Sequence, residues 1–384
     1  MLNKLTKFIA AALLLLLLIQ TIGPIQSASA AKRYAILQES TNRSFVPIRY
    51  TAENFGYKVQ WKGEEQKVLL SNGSKSVEFT VDTKQVKVNG KLQQLDAAPF
   101  KLAGTVYIPL RFAGETLGTE VEWQKSGRVV LTSGSKKTEI ETIALNRIER
   151  AVKTPVSASS TTVEISKKKV SVNVVYVDLY HPAVHMDTVY ANNKIGSTEP
   201  FKNMIERSKA SVAVNGTFFN AYSTTDVKIP YGYIVQSGKV INKASGDERA
   251  IFIYTRDGDA QIVDGETELK KLLDQGIVEA AVQAGPRLVR NGKVDTNPTA
   301  EGFKDPKVLT NRAGRTAIGV TKEGKVIIIT TSAVTIKELA EVMVKLGATA
   351  AMNLDGGASS GLYAKGKMIT PPGRDLSNAL IATF

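Results

Sequence analysis

The sequence predicts an α+β protein: a small duplicated strand/helix module, then a larger domain built on a mixed sheet that carries the chemistry. Three observations lead there. The chain repeats itself at a spacing of 62 residues after its N-terminal segment. From about Thr161 it becomes short strand-like apolar runs with a few amphipathic helices between them. Five polar, Gly-bearing stretches sit at the ends or starts of those runs.

Met1 to Ala30 reads as a secretory signal. Lys4 and Lys7 precede the apolar run Phe8 to Ile19, and Ala28-Ser29-Ala30 gives a small-residue cleavage pattern. The mature chain is then expected to start at Ala31 and to be secreted or associated with the cell wall of a Gram-positive-like cell. Nothing further along reaches the roughly 20 apolar residues of a membrane span, so no integral membrane association is expected after cleavage. There is no Cys, which excludes disulfides, thiolate metal sites and Cys nucleophiles. The formal charge of +14 becomes +12 without Lys4 and Lys7. Such a surface favours polyanions. The expected partner is an anionic cell-wall polymer or polysaccharide rather than nucleic acid, for which no module is recognisable.

The duplicated module spans residues 31–135. Phe45-Val46-Pro47-Ile48-Arg49-Tyr50 aligns with Tyr107-Ile108-Pro109-Leu110-Arg111-Phe112, and Glu53, Gly56, Val59 and Trp61 with Glu115, Gly118, Val121 and Trp123. Each copy reads as a strand ending at Pro-x-Arg, a short helix, a Gly turn and a Trp-bearing hairpin. Ser76 to Val88 alternates as strands do, and Asn89-Gly90 is a hairpin-turn signal. Matched repeat positions make Trp61 and Trp123 expected core residues. This region resembles the copper amine oxidase N-terminal domain, a stalk module. Despite that name, residues 31–135 hold no His, and the resemblance implies a spacer or wall-polymer adhesion role. Residues 136–162 are expected to form a linker, with a helix within Glu139 to Val152 and a flexible Pro155-to-Ser160 stretch.

In the C-terminal domain, residues 163–384, Val170 to Leu179 and Ser211 to Val214 read as strands. Glu338 to Leu346 reads as a helix with Leu339, Val342, Met343 and Leu346 on one face. That helix feeds a strand from Ala348 into Asn353-Leu354-Asp355-Gly356-Gly357-Ala358-Ser359-Ser360, where a carboxylate is followed by turn glycines and hydroxyls. His181 and His185 are four apart, but Pro182 argues against the helix that would bring both to one metal. No metal or other cofactor is expected, although a divalent cation on Asp side chains stays open.

Four further stretches join the Asp355 turn: Asn215-Gly216-Thr217-Phe218-Phe219, Gly285-Pro286-Arg287-Leu288, Gly314-Arg315-Thr316-Ala317 and Arg374-Asp375-Leu376-Ser377-Asn378. Asn can hydrogen-bond sugar hydroxyls, an aromatic face can cover a sugar, and a guanidinium can grip phosphate. In this order the five are similar to the motifs of the phosphodiester glycosidase family, over roughly residues 165–384. Thr217 and Ala358 each stand where that family's pattern has Gly.

The resemblance implies hydrolysis of a sugar 1-phosphodiester, N-acetylglucosamine-1-phosphodiester-like, releasing the free sugar and a phosphomonoester. Asp355 is then the expected catalytic carboxylate, with Arg315 on the phosphate and Asn215 on the sugar. Gly216, Phe218, Phe219, Gly285, Arg287, Thr316, Asn353, Gly356, Gly357, Ser359, Ser360, Arg374 and Asn378 are expected to line the substrate site. Glu279 and Asp226 are weaker candidates for a second acid or base. Two other readings stay open: a non-catalytic wall- or polysaccharide-binding protein, and a phosphodiesterase that cuts the other ester bond.

Overall fold

A computed structural model describes residues 34–166 and 168–384. The signal expected over residues 1–30 lies outside the described residues. Among the described residues, no helix is long and apolar enough to cross a membrane.

The N-terminal module repeats as read. Strand Arg43–Pro47, helix Ile48–Asn54 and the hairpin Lys58–Lys62 with Lys67–Ser71 recur as Thr105–Pro109, Leu110–Leu117 and Glu120–Trp123 with Arg128–Ser133. Asn89-Gly90 turns the chain between Gln85–Val88 and Lys91–Gln94, both residues at positive φ as such a turn requires. The buried side of the module gathers Val46, Ile108, Leu70, Leu131 and Phe79. The tryptophans depart from expectation. Trp61 is half-buried and Trp123 is 50% exposed.

The linker expected at 136–162 is regular structure instead. Lys136–Ala144 is a strand between Tyr34–Gln38 and Arg128–Ser133, Leu145–Lys153 is a helix, and Val156–Ile165 is the outer strand of the next sheet. Pairing with the next strand, Lys168–Asp178, overrides the flexible composition of Ser157 to Ser160. The helix clamps the two domains: the Arg147 guanidinium forms a two-point ion pair with Asp178, at 2.8 and 2.9 Å, and lies over the Tyr180 ring.

The C-terminal domain has three sheets around one core. A seven-stranded sheet runs Val156–Ile165, Lys168–Asp178, Lys325–Val334, Ala313–Thr321, Ala348–Asn353, Arg287–Arg290, Lys293–Val294. A five-stranded sheet centres on Val212–Asn215 and Asn378–Thr383, and another on Ala250–Thr255 and Val278–Gln283. Among the described residues every pairing in this domain is antiparallel, where parallel neighbours were also expected. Val175, Ile318 and Ile328 of the first sheet, Val214 and Leu380 of the second, and Phe252 and Val282 of the third share the central core.

Each sheet's outer face is covered by one helix: Ile336–Lys345, Phe201–Ser208 and Gly265–Asp274 respectively. The first of these helices starts with a capping box, Thr335 receiving the Glu338 amide and Glu338 the Thr335 amide. It buries Leu339, Val342 and Met343, as its periodicity requires.

Candidate active site

Three of the five motifs form one knot where strands Val212–Asn215 and Ala348–Asn353 end and Asn378–Thr383 begins. The Asp355 amide donates to the Gly216 carbonyl at 3.1 Å, and the Gly216 amide to the Asn378 carbonyl at 3.1 Å. Asn215 Nδ2 donates to the Asp355 carbonyl at 2.7 Å, and its Oδ1 accepts from the Gly361 amide at 2.9 Å. Asn378 Oδ1 accepts from the Thr217 amide at 2.9 Å while its Nδ2 donates to Ser377 Oγ at 2.7 Å. Gly216 is required here, since a Cβ would lie 1.9 Å from Asn378 Oδ1.

The other two motifs press on the same turn. Asn353 Nδ2 donates to the Gly285 carbonyl at 2.9 Å. A Cβ on Gly356 would meet the Gly314 carbonyl at 2.7 Å.

Asp355 stands at the centre, with its carboxyl accepting from the Gly356 amide at 2.9 Å and from the Ser359 hydroxyl. Burial pushes this carboxyl up to about 6, against the opposing pull of Ser359, Gly356 and Arg374. Arg374 is half-buried; its Nη2 donates to Tyr222 Oη at 3.0 Å and its guanidinium lies 5.0 Å over the Tyr222 ring. Lys307 Nζ is 5.6 Å over the same ring. The Tyr222 phenol is lowered by its hydrogen bond from Arg374 and by the charges of Arg374 and Lys307, and Asp355 opposes that shift. Arg374 therefore acts on both the Asp355 carboxyl and the Tyr222 phenol, and Lys307 joins it at the Tyr222 ring.

The Asp355 turn also borders, through Gly357 and Ser360, a cavity of about 560 Å³ lined by Ser160, Asn173, Thr330 and Thr370 among others, with no charged residue. Strand alternation makes it. Val175 and Ile328 belong to the core, and the next inward positions along the same strands are Asn173 and Thr330. Four buried polar atoms around the motifs have no hydrogen-bond partner: Thr217 Oγ1, Thr316 Oγ1, Asn353 Oδ1 and Ser360 Oγ. Orphaned buried donors and acceptors are uncommon, and the one that lines the cavity, Ser360 Oγ, suits a ligand or bound water.

The structure corrects several expected roles. Arg315 is buried, with Nε donating to the Val334 carbonyl at 3.2 Å and Nη2 to those of Lys307 and Asn311 at 2.6 and 2.9 Å. It braces the loop that carries Lys307 rather than reaching out to phosphate. Arg287 pairs through Nε with Asp264 at 2.5 Å and is likewise committed. The Asn215 amide holds backbone and the Asn378 amide holds the Thr217 backbone and the Ser377 hydroxyl, which makes them positioning residues rather than sugar contacts. Phe219 is buried, and Phe218 is half-buried with its ring edge-on to Phe303 at 5.9 Å.

Glu279 sits with His185 and Arg256, at 3.7 and 3.5 Å, and is not brought to Asp355. Asp226 is exposed on the loop after the first motif. Glu301 approaches the Gly285 turn, but its oxygens accept the Ala250 and Arg287 amides at 2.9 and 2.7 Å. Among the described residues no group of three or more His, Asp or Glu could hold a metal ion.

Tyr222 and Lys307 escaped the sequence reading because neither belongs to a motif. Only the proximity of Ala221-Tyr222 to Asn215-to-Asn220 pointed to the former.

Residues 208–383 match the phosphodiester glycosidase family, and residues 31–132 match the copper amine oxidase N-terminal domain. The N-acetylglucosamine-1-phosphodiester alpha-N-acetylglucosaminidase of Mus musculus is 28% identical over 176 residues, covering 42% of this chain and 33% of its own length. That of Bos taurus is 26% identical over 187 residues, covering 43% and 33%. This chain thus spans about a third of the length of the curated relatives it matches. A crystal structure of a hypothetical protein from Synechocystis superposes with a TM-score of 0.52 at 14% identity, over 91% of this chain and 99% of that one, which shows a shared fold.

Proposed function

We propose that this chain is a phosphodiester glycosidase that cleaves a sugar 1-phosphodiester, with an N-acetylglucosamine-like sugar, in cell-wall polymer or exopolysaccharide outside the cell. The observation that carries the reading is the Asp355 turn, where the five motifs converge, with Arg374 acting on its carboxyl and a hydroxyl-lined cavity at Gly357 and Ser360. The family match and the distant relatives support the same reaction class.

In this reading the sugar occupies the cavity, and its hydroxyls meet Ser360 Oγ and the Thr and Asn side chains. Arg374 and Lys307, grouped at the Tyr222 ring, take the phosphate charge. The bond from the anomeric carbon to the phosphate oxygen breaks, and its electron pair leaves with the phosphate. Asp355 accepts a proton from the attacking water, whose oxygen bonds to the anomeric carbon. A carboxyl held near 6 is ionised at neutral pH, yet basic enough to take that proton. The leaving phosphomonoester needs little acid assistance, which fits a site with one central carboxylate.

The test is incubation with an N-acetylglucosamine 1-phosphodiester bearing a methyl group on the phosphate, in ¹⁸O-labelled water. Free labelled N-acetylglucosamine and methyl phosphate from the wild type, lost in Asp355→Asn, support the glycosidase. N-acetylglucosamine 1-phosphate with methanol would make it a phosphodiesterase. Binding with no product would make it a recognition protein.

A further inference from the structure

The N-terminal module is organised about a local two-fold axis. Strands Arg43–Pro47 and Thr105–Pro109 pair antiparallel with Val46 opposite Ile108, and these are equivalent positions of the 62-residue repeat. An antiparallel pair centred on equivalent residues carries each copy onto the other by a half-turn. One result is a pair of matching grooves. The first is formed by Pro47, Ile48, Arg49 and Trp61 and closed by Gly104 to Val106 of the other copy. The second is formed by Pro109, Leu110, Arg111 and Trp123 and closed by Asn42 to Ser44, the repeat equivalents of 104 to 106.

The grooves differ in how they are filled. In the first, of about 290 Å³, Pro182 and Ala183 of the C-terminal domain line the space. There the Lys101 ammonium sits 4.8 Å over the Trp61 ring, and Glu53 holds Arg49 at 3.1 Å. The second, of about 630 Å³, has no such cover. Trp123 is 50% exposed, and Arg111 is exposed with no ion pair among the described residues. A Trp that one copy covers is left bare in its equivalent.

We propose that this second groove is a carbohydrate-binding site that takes one pyranose ring of a glycan chain against the Trp123 indole. An indole face covers the C–H face of a sugar. The polar rim mixes donors and acceptors: Arg43 and Arg111 against Asp96 and Glu115. Hydroxyl groups use both kinds at once, whereas an anion alone or a cation alone leaves half the rim unmatched. Arg43 and Asp96 are joined at 3.3 Å, which fixes part of that rim before a ligand arrives. Strand Glu120–Trp123 is the end strand of its sheet, so one side of the groove is open to a passing chain. The site is separate from Asp355 and stands whether or not that carboxylate is catalytic.

Trp61 and Trp123 are the only tryptophans in the sequence, so fluorescence reads the groove directly. The full chain carrying Trp61→Phe is titrated with chitohexaose, cellohexaose and polygalacturonate, following Trp emission. A saturable change with at least one of them is expected in Trp61→Phe and none in Trp123→Phe. Adding Arg111→Gln to Trp61→Phe should weaken that binding about tenfold, the scale of one charged hydrogen bond, with an unchanged circular dichroism spectrum and melting curve. No emission change with any of the three glycans overturns the proposal. An equal change in Trp123→Phe also overturns it. A response to a proline-rich peptide alone would make the groove a peptide site, mirroring Pro182 in the first, and overturn it too.

Discussion

Asp355→Asn should stabilise the folded chain at neutral pH while removing turnover. The carboxyl stands at about 6 in the folded protein against an ordinary value of 3.8, because burial disfavours its charged form. A shift of that size corresponds to about 3 kcal/mol of disfavoured ionisation. The folded state holds this proton more tightly than the unfolded state does. Stability is therefore unaffected by the group below about pH 4, falls between about 4 and 6, and carries the whole penalty above 6. Asn cannot ionise, and its Oδ1 can still accept from the Gly356 amide, though it loses the charged share of the Ser359 hydrogen bond. The net gain expected at pH 7.5 is about 1–3 kcal/mol, shrinking to near zero at pH 4. Denaturant unfolding of wild type and Asp355→Asn at several pH values reads it. In parallel, turnover should fall by roughly two to four orders of magnitude. Equal stability differences at pH 4 and pH 7.5 would refute the reasoning, because the carboxylate would then be fully compensated by its surroundings.

Arg374→Gln removes a cation that lowers the Asp355 carboxyl, so the acid limb of kcat/KM should move to higher pH while KM rises about tenfold; a pH–rate profile with an unmoved limb would contradict the pairing. Gly216→Ala drives a Cβ to 1.9 Å from Asn378 Oδ1 and 3.0 Å from its Cγ. It should cost about 2–4 kcal/mol and most of the activity, and a wild-type unfolding midpoint would show that Asn378 can swing aside freely. Ser360→Ala deletes a buried hydroxyl without an internal partner. Stability should stay within about 1 kcal/mol of wild type while KM rises; the reverse pattern would assign the hydroxyl to the fold instead of the substrate.

Much of the framework was legible because it rests on local chemistry. The Asn89-Gly90 turn and the apolar stripe of Leu339, Val342 and Met343 depend on neighbours within a few residues, the 62-residue repeat is visible as self-similarity, and the structure forms all three where the sequence puts them. Five motifs named residues that the fold gathers at one turn, because a glycine with no room for a Cβ, or a carboxylate at a strand end, leaves its mark in residue type. The connector over residues 136–162 misled for the opposite reason. Its Ser and Thr residues carry little intrinsic preference, and pairing with the adjoining strands Arg128–Ser133 and Lys168–Asp178 decides their conformation.

The sequence by itself determined the modules, the repeat and the carboxylate around which the motifs gather. Tertiary structure alone decided what each motif side chain does. Asn215 and Asp355 lie 140 residues apart, and only folding shows that the amide is consumed in holding the turn. Arg315 looks like an anion ligand until the carbonyls of Val334, Lys307 and Asn311 are placed around it. Tyr222 and Lys307 carry no motif at all and acquire a role only by standing next to Arg374. A side chain's chemistry is written in its type, but whether its hydrogen-bonding capacity is spent or free depends on partners that arrive from elsewhere in the chain.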